Sequence, residues 1–197
     1  MPIPFKLNRS PRYSTIPVAI SPGTRVASIG RNKIQTGYIR RFSSESWVQI
    51  EAFEPQALIG RTADLKRLAN LADSGIVDLS SVDTAILVTA GFGDNVINDV
   101  ERVVLWQAFG VPVYELLLSS DGRLLGSECE AHAGWHLEPN VRLSRAGGNV
   151  TVDCGREKRQ LGMTALVETA ACECGRSEPR IVMDGRPRLV RVLAATA

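Results

Sequence analysis

Acidic residues are missing from the first 44 positions, where eight lysines and arginines stand unopposed. The rest of the chain carries 15 of the 23 basic residues against all 21 acidic ones, a balance of −6. The basic segment has two readings. One is a site for phosphates, nucleic acid or an acidic partner; the other is a solvated strand face that complements the protein's own acidic half. The charges are spread out and lack interleaved aromatics, which favours the second. Long hydrophobic runs are also missing. No apolar stretch reaches the ~18 residues of a membrane span, so no membrane partner is expected. The N-terminal stretch MPIPFKLNRSPRYS has no uninterrupted apolar segment followed by a small-residue cleavage site, so a secretory signal is not expected. Cysteine is scarce, at four residues. In the reducing cytoplasm, where we expect this chain, those cysteines are metal ligands or free thiols and not a disulfide framework.

What is present is enough for one or two domains with a real core: 197 residues, 44% of them hydrophobic and 22% charged. Prolines at 2, 4, 11, 17 and 22 exclude regular helix, and an extended arm is expected over residues 1–23. Three short strands are expected next, at Arg25–Gly30, Thr36–Phe42 and Ser46–Phe53. Thr62 then caps a helix with Leu65, Leu68, Ala69 and Ala72 on one face, ended by Ser74-Gly75. Thr84–Thr89 is apolar on both faces, as a buried parallel strand would be. It leads through Ala90-Gly91-Phe92-Gly93 to Asp94, expected to cap a helix with a Val96, Val100, Val103 and Val104 stripe and a Gly110 stop. Val111–Leu118 is a second buried strand. This order predicts a parallel α/β unit over residues 24–118. From 119 to 197 the helical period disappears. Short strands are expected at Arg123–Cys129, Trp135–Leu143, Asn149–Asp153, Met163–Thr169, Arg180–Val182 and Leu189–Leu193. Turns at Ala133-Gly134, Gly147-Gly148 and Asp184-Gly185 separate them. The fold class is therefore α/β: a parallel unit followed by a small, mostly antiparallel sheet or barrel.

Cys172-Glu173-Cys174-Gly175 is a C-x-C-G turn, and Cys129 begins a short stretch holding both histidines, His132 and His136. Zinc takes four tetrahedral soft or borderline ligands, which two short clusters commonly supply. A hairpin turn over Ala131–Gly134 would return His136 to the side of Cys129 and leave His132 at the tip. Cys154 is a further candidate ligand. With no open coordination position implied, the zinc would be structural. Ala90–Asp94 joins a strand to a helix start, where backbone N–H groups can hold an anion. It lacks the third glycine of a dinucleotide fingerprint and the Gly-Lys-Ser/Thr of a P-loop. A plain βα turn explains it.

Taken in order, Gln56–Gly60, Gly75–Val82, Phe109–Glu115, Glu128-Cys129-Glu130, Gly134-Trp135-His136 and Cys172–Arg176 resemble the phenylacetate–coenzyme A ligase-like branch of the adenylate-forming enzymes. The resemblance covers residues from about 50 to 186. It implies part of that enzyme core as the fold, and a zinc ion on Cys129, His136, Cys172 and Cys174. Cys154 is then a spare thiol and His132 the alternative histidine.

The resemblance also exposes departures. Where such enzymes look like Tyr-Gly-Ser-Thr-Glu-Gly, this chain has Leu117-Leu118-Ser119-Ser120-Asp121-Gly122. A nucleotide would meet Ser119, Ser120, Asp121 and Gly122 there, with Ser120 and Asp121 as vestigial hydroxyl and carboxylate. Leu118 takes a glycine's place near the adenine. The Arg-Tyr-Arg-Thr-Gly-Asp motif should fall near Gly162–Val167, which reads Gly-Met-Thr-Ala-Leu-Val without an aspartate. The phosphate loop and the lid with its catalytic lysine are expected to be absent. Adenylation needs several of these groups at once. The expectation is thus a non-catalytic, truncated relative acting as a zinc-stabilised binding or interaction protein, with ATP or AMP doubtful as cofactors. One alternative is a subunit of a split ligase that uses ATP with a partner chain. Another is nucleic-acid binding through the basic segment. A truncated sheet would expose an edge or face, so a protein partner or self-association is expected.

Overall fold

A computed structural model of the chain describes residues 20–21, 23–30, 34, 39–90, 96–132, 134–146, 149–153 and 158–183. Five strands run parallel: β1 (Val26–Ile29), β2 (Ile39–Phe42), β3 (Ala57–Gly60), β4 (Ala85–Ala90) and β5 (Val113–Leu118). Their order is β2-β1-β3-β4-β5. All six residues of β4 and of β5 are buried, as the doubly covered centre of a parallel sheet requires. Three helices cover one face: α1 (Trp47–Phe53), α2 (Thr62–Asp73) and α3 (Asp99–Phe109). Ile50, Leu65 and Leu105 from them pack with Ile29, Leu58 and Ile86 of the strands. The arrangement follows from the right-handed crossover rule. The connections β2 to β3, β3 to β4 and β4 to β5 all advance in one direction and use the same face. On the other face Ile34, from between β1 and β2, packs with Val26, Ile59 and Leu87.

All three helices differ from expectation in type or in where they start. Ser46–Phe53 is not a strand: Trp47–Phe53 is helical, with Ile50 fully buried and Trp47 and Phe53 packed against the same cluster. Those three residues fall at i, i+3 and i+6, a helical face that aromatic content disguised as strand. Thr62 is the first residue of α2, and Arg61 precedes it as N-cap without a side-chain cap bond. Ser74 and Gly75 (φ +67°) do end that helix. Helix α3 starts at Asn98, whose side chain accepts from the Glu101 N–H while Glu101 reaches back to the Asn98 N–H, a capping box. Its stripe also differs, because Val100 and Val103 are exposed while Leu105 is buried. Gly110 closes α3 in the left-handed conformation.

The sheet does not stop at β5. Antiparallel strands β6 (Leu124–Ser127), β7 (Trp135–Leu137), β8 (Arg142–Ala146), β9 (Asn149–Asp153), β10 (Lys158–Glu168) and β11 (Arg180–Met183) extend it in the order β5-β6-β7-β11-β10-β9-β8. The expected strand Trp135–Leu143 divides into β7 and the start of β8, because Pro139 follows Glu138 and the Val141 N–H donates to the Glu138 carbonyl at 2.9 Å. One buried residue from each of β5, β6, β7, β9 and β11 (Leu117, Leu125, Trp135, Val152 and Ile181) forms a small separate core. No helix among the described residues is long and apolar enough to cross a membrane. Outside the described residues lie nearly all of the expected arm, Gly91–Asp94, Gly147-Gly148, Cys154, Asp184-Gly185 and Leu189–Leu193.

Candidate metal centre

Two turns and one strand converge at the end of β6. Cys129 opens a tight turn in which the His132 N–H donates to the Cys129 carbonyl at 2.9 Å. Gly134, at φ +108°, then brings the chain back beside β11. A Cβ there would stand 2.3 Å from the Ile181 carbonyl oxygen, so only glycine fits. His136 enters β7 between Ser127 of β6 and Arg180 of β11. Cys172 and Cys174 lie in the β10–β11 connection. Its turn is closed by the Gly175 N–H donating to the Cys172 carbonyl, and the Cys172 N–H donating to the Arg176 carbonyl, both at 2.9 Å.

The donor atoms of Cys129, His136, Cys172 and Cys174 all lie within 4.8 Å of one another. Cys129 Sγ is 3.7 Å from Cys172 Sγ, and Cys174 Sγ is 3.4 Å from His136 Nε2. Two sulfurs bound at ~2.3 Å to one tetrahedral zinc stand about 3.75 Å apart, and a sulfur and a nitrogen about 3.6 Å. The donor set therefore fits one ion. Cys129, His136 and Cys172 are buried and Cys174 is partly so.

The electrostatics suit the same role. Burial, with Arg176 and Arg180 adding positive charge nearby, lowers the His136 pKa and keeps its imidazole neutral, the form that binds metal. Burial also pushes the Cys129 thiol up to about 12. Burial acts upward on Cys172 as well, but the Cys174 N–H, the Cys174 and Cys129 thiols and Arg180 outweigh it and lower that thiol. A metal ion bound here would displace the protons of these thiols.

His132 lies outside this group. Its ring stacks on Tyr114 at 5.2 Å, and its Nδ1 is 3.8 Å from Glu128 Oε2. Glu128, fully buried, is the centre of a network that sequence reasoning missed. Arg102 Nη2 on α3 donates to both Glu128 oxygens, at 3.0 and 2.9 Å, and the Glu115 N–H donates to Oε2 at 2.8 Å. The residue before Cys129, the first of the candidate ligands, is thus tied to α3 and β5. The available signal was an arginine inside a mostly apolar helix.

Ser119, Ser120, Asp121 and Gly122 form the turn between β5 and β6. The Ser119 hydroxyl donates to Asp121 Oδ1 at 2.5 Å and accepts from the Arg123 N–H at 2.9 Å, while Asp121 pairs with Arg123 at 3.2 Å. The bond from Ser119 holds the Asp121 carboxyl below its usual range. Of the basic segment, Arg25 donates to the Glu54 carbonyl, Arg41 donates to the Ile34 carbonyl, and Arg40 lies over the Phe42 and Phe53 rings.

No protein-family model matches the chain, and no curated protein sequence matches it. Solved structures do. A 2-hydroxyisobutyryl-CoA ligase in complex with 2-HIB-AMP and CoA superposes with a TM-score of 0.58 at 13% identity, covering 84% of this chain and 45% of that one. Coronafacic acid ligase from Pectobacterium brasiliense gives 0.52 at 12% identity, over 82% and 39% of the two chains. An anthranilate CoA ligase in complex with anthranoyl-AMP gives 0.51 at 9%, over 73% and 34%. The chain spans less than half the length of these ligases, and the likeness is one of fold: part of an adenylate-forming enzyme core.

Proposed function

We propose that this chain is a zinc-stabilised binding or interaction protein, built on part of an acyl- and aryl-adenylating core and without adenylating activity of its own. The observation that carries the reading is a contrast between two sites. Four soft donors converge at spacings that one tetrahedral zinc would span. Four protein ligands leave no open position, so the ion would hold structure and not activate water. At the nucleotide-like turn, by contrast, the Ser119 hydroxyl and the Asp121 carboxylate bond each other and Arg123. Leu118 buries its side chain among Tyr114 and Leu116 where a glycine would admit adenine. The stretch 162–167, within β10, offers no carboxylate for a ribose. The order of the quoted segments favours the phenylacetate–coenzyme A ligase-like branch as the origin of this core. Three metal-bound thiolates favour a reducing compartment such as the cytoplasm.

Elemental analysis of the purified chain should return one zinc per chain. Exchange of pyrophosphate into ATP, tried with a panel of acyl and aryl acids, should stay at background; exchange above background would overturn the reading. A split ligase is the second reading, favoured by the position of Ser119–Gly122 at the carboxyl end of β5, where open parallel sheets bind ligands. It predicts exchange only when a chain supplying a phosphate loop and lid is added.

A further inference from the structure

We propose a second site, for a small phosphorylated molecule that also carries hydroxyl groups, in the crevice at the carboxyl ends of β1, β2 and β3. It stands on different residues from the metal centre and does not rest on the zinc reading. The first support is topology. The order β2-β1-β3-β4-β5 reverses direction between β1 and β3, with Ile34 from between β1 and β2 packed on one face and α1, between β2 and β3, on the other. Such a switch point parts the loops at the carboxyl ends and opens a crevice there, which is where open parallel sheets bind ligands.

The second support is the crevice itself, a cavity of about 560 Å³ lined by Gly30, Arg41, Phe42, Ser43, Ser44, Arg61 and Asp64. That volume suits a small ligand. Among the described lining residues, Arg41 from β2 and Arg61 from the start of α2 are two cations against one carboxylate, that of Asp64. Arg41 is steadied by donating through Nη2 to the Ile34 carbonyl at 2.7 Å. Arg61 gives α2 no side-chain cap, and the helix runs on for 12 residues behind it, so its positive end faces the same space. Ser43 and Ser44 line the same space, the Ser43 hydroxyl standing 2.7 Å from that of Ser46. These groups call for an anion that accepts several hydrogen bonds at once, as phosphate does. Asp64 adds the opposite need. Its carboxylate lies over Gly30, where a Cβ would come within 2.4 Å of Oδ2, and a carboxylate oxygen accepts more than one bond, so a ligand hydroxyl can share it with the group's other partners. Phosphate and hydroxyls together describe a sugar phosphate or a nucleotide.

Calorimetric titration of the full chain with ribose 5-phosphate, inorganic phosphate and ribose tests this. Ribose 5-phosphate should bind saturably and more tightly than either of the others. Arg61→Gln and Arg41→Gln should each weaken it about tenfold, and Ser44→Phe, which fills the cavity, should abolish it. Asp121→Asn, at the nucleotide-like turn, should leave it unchanged. Arg61 is exposed, so its variant tests the site even if Arg41→Gln, which loses an internal bond, folds poorly. No saturable binding, binding indifferent to Arg61→Gln and Ser44→Phe, or binding lost in Asp121→Asn would each overturn the proposal. None of these results bears on zinc content or pyrophosphate exchange.

Discussion

Glu128 has no exposed surface, yet its carboxylate stands one residue before a candidate metal ligand, and both its oxygens accept from one nitrogen, Arg102 Nη2. Removing one partner of such a pair leaves an uncompensated buried charge. Arg102→Met should therefore destabilise the chain by about 3–5 kcal/mol in urea unfolding, and adding Glu128→Gln should recover part of the loss. Recovery would separate the cost of an orphaned charge from the cost of lost packing. Glu128 was legible only as the neighbour of Cys129, because its partner lies 26 residues away and no local pattern joins them. Tyr114, stacked on His132, gives a pH test. Burial holds its phenol above the ordinary 10.0, with the carboxylates of Glu130 and Glu128 adding to the effect. The folded chain thus keeps a proton that the unfolded chain releases. Its contribution to stability is complete below pH 10 and is lost as pH rises above it. Urea midpoints should fall between about pH 9 and 11, and fall less in Tyr114→Phe. Equal slopes in the two proteins would rule this out.

At the level of elements, the turns decide whether the donors meet. The backbone of Gly134 passes so close to Ile181 that a methyl group cannot be accommodated without moving β7 from β11. Gly134→Ala should cost several kcal/mol by strain at its positive φ and by that contact, and should lower zinc retention in dialysis at the same time. Helix α3 holds Arg102, and its start depends on the Asn98 box. Asn98→Ala should cost about 1 kcal/mol in unfolding without changing zinc content. That box shows how far sequence reading reached. The pattern Asn98-Asp99-Val100-Glu101 carries the signature, but Asp94 also resembles a cap, and a cap residue alone does not fix a boundary. The same limit applied to α1, where seven residues are too few for periodicity to overrule aromatic content. The C-x-C-G turn and the His136 hairpin were legible because they depend on local chain reversal, which glycine and short spacing reveal.

In the whole molecule, the buried strands β4 and β5 could be read from apolar runs, but the continuity of the sheet could not. β11 pairs with β7 across an intervening hairpin and a long strand, and that choice of neighbour is made by long-range packing. The consequence is an uneven distribution of core. The parallel half packs a large cluster in which helices and strands share burial, whereas the apolar cluster of described residues beyond it has five members, Leu117 lent by β5 and Leu125, Trp135, Val152 and Ile181. The four candidate metal ligands come from the same region: the end of β6, β7 and the β10–β11 connection. A metal joining them would supply folding free energy where apolar burial is thin. Chelation should therefore act locally before it acts globally. Hydrogen exchange after zinc removal should accelerate first in β6, β7, β11 and the Cys172–Arg176 turn, while β3, β4 and β5 keep their protection. Cys172→Ser should reproduce that pattern with zinc present, because three remaining ligands hold the ion poorly. Uniform acceleration across the sheet would mean that the two halves unfold as one unit. Unchanged exchange would mean that the cysteines hold no structural ion.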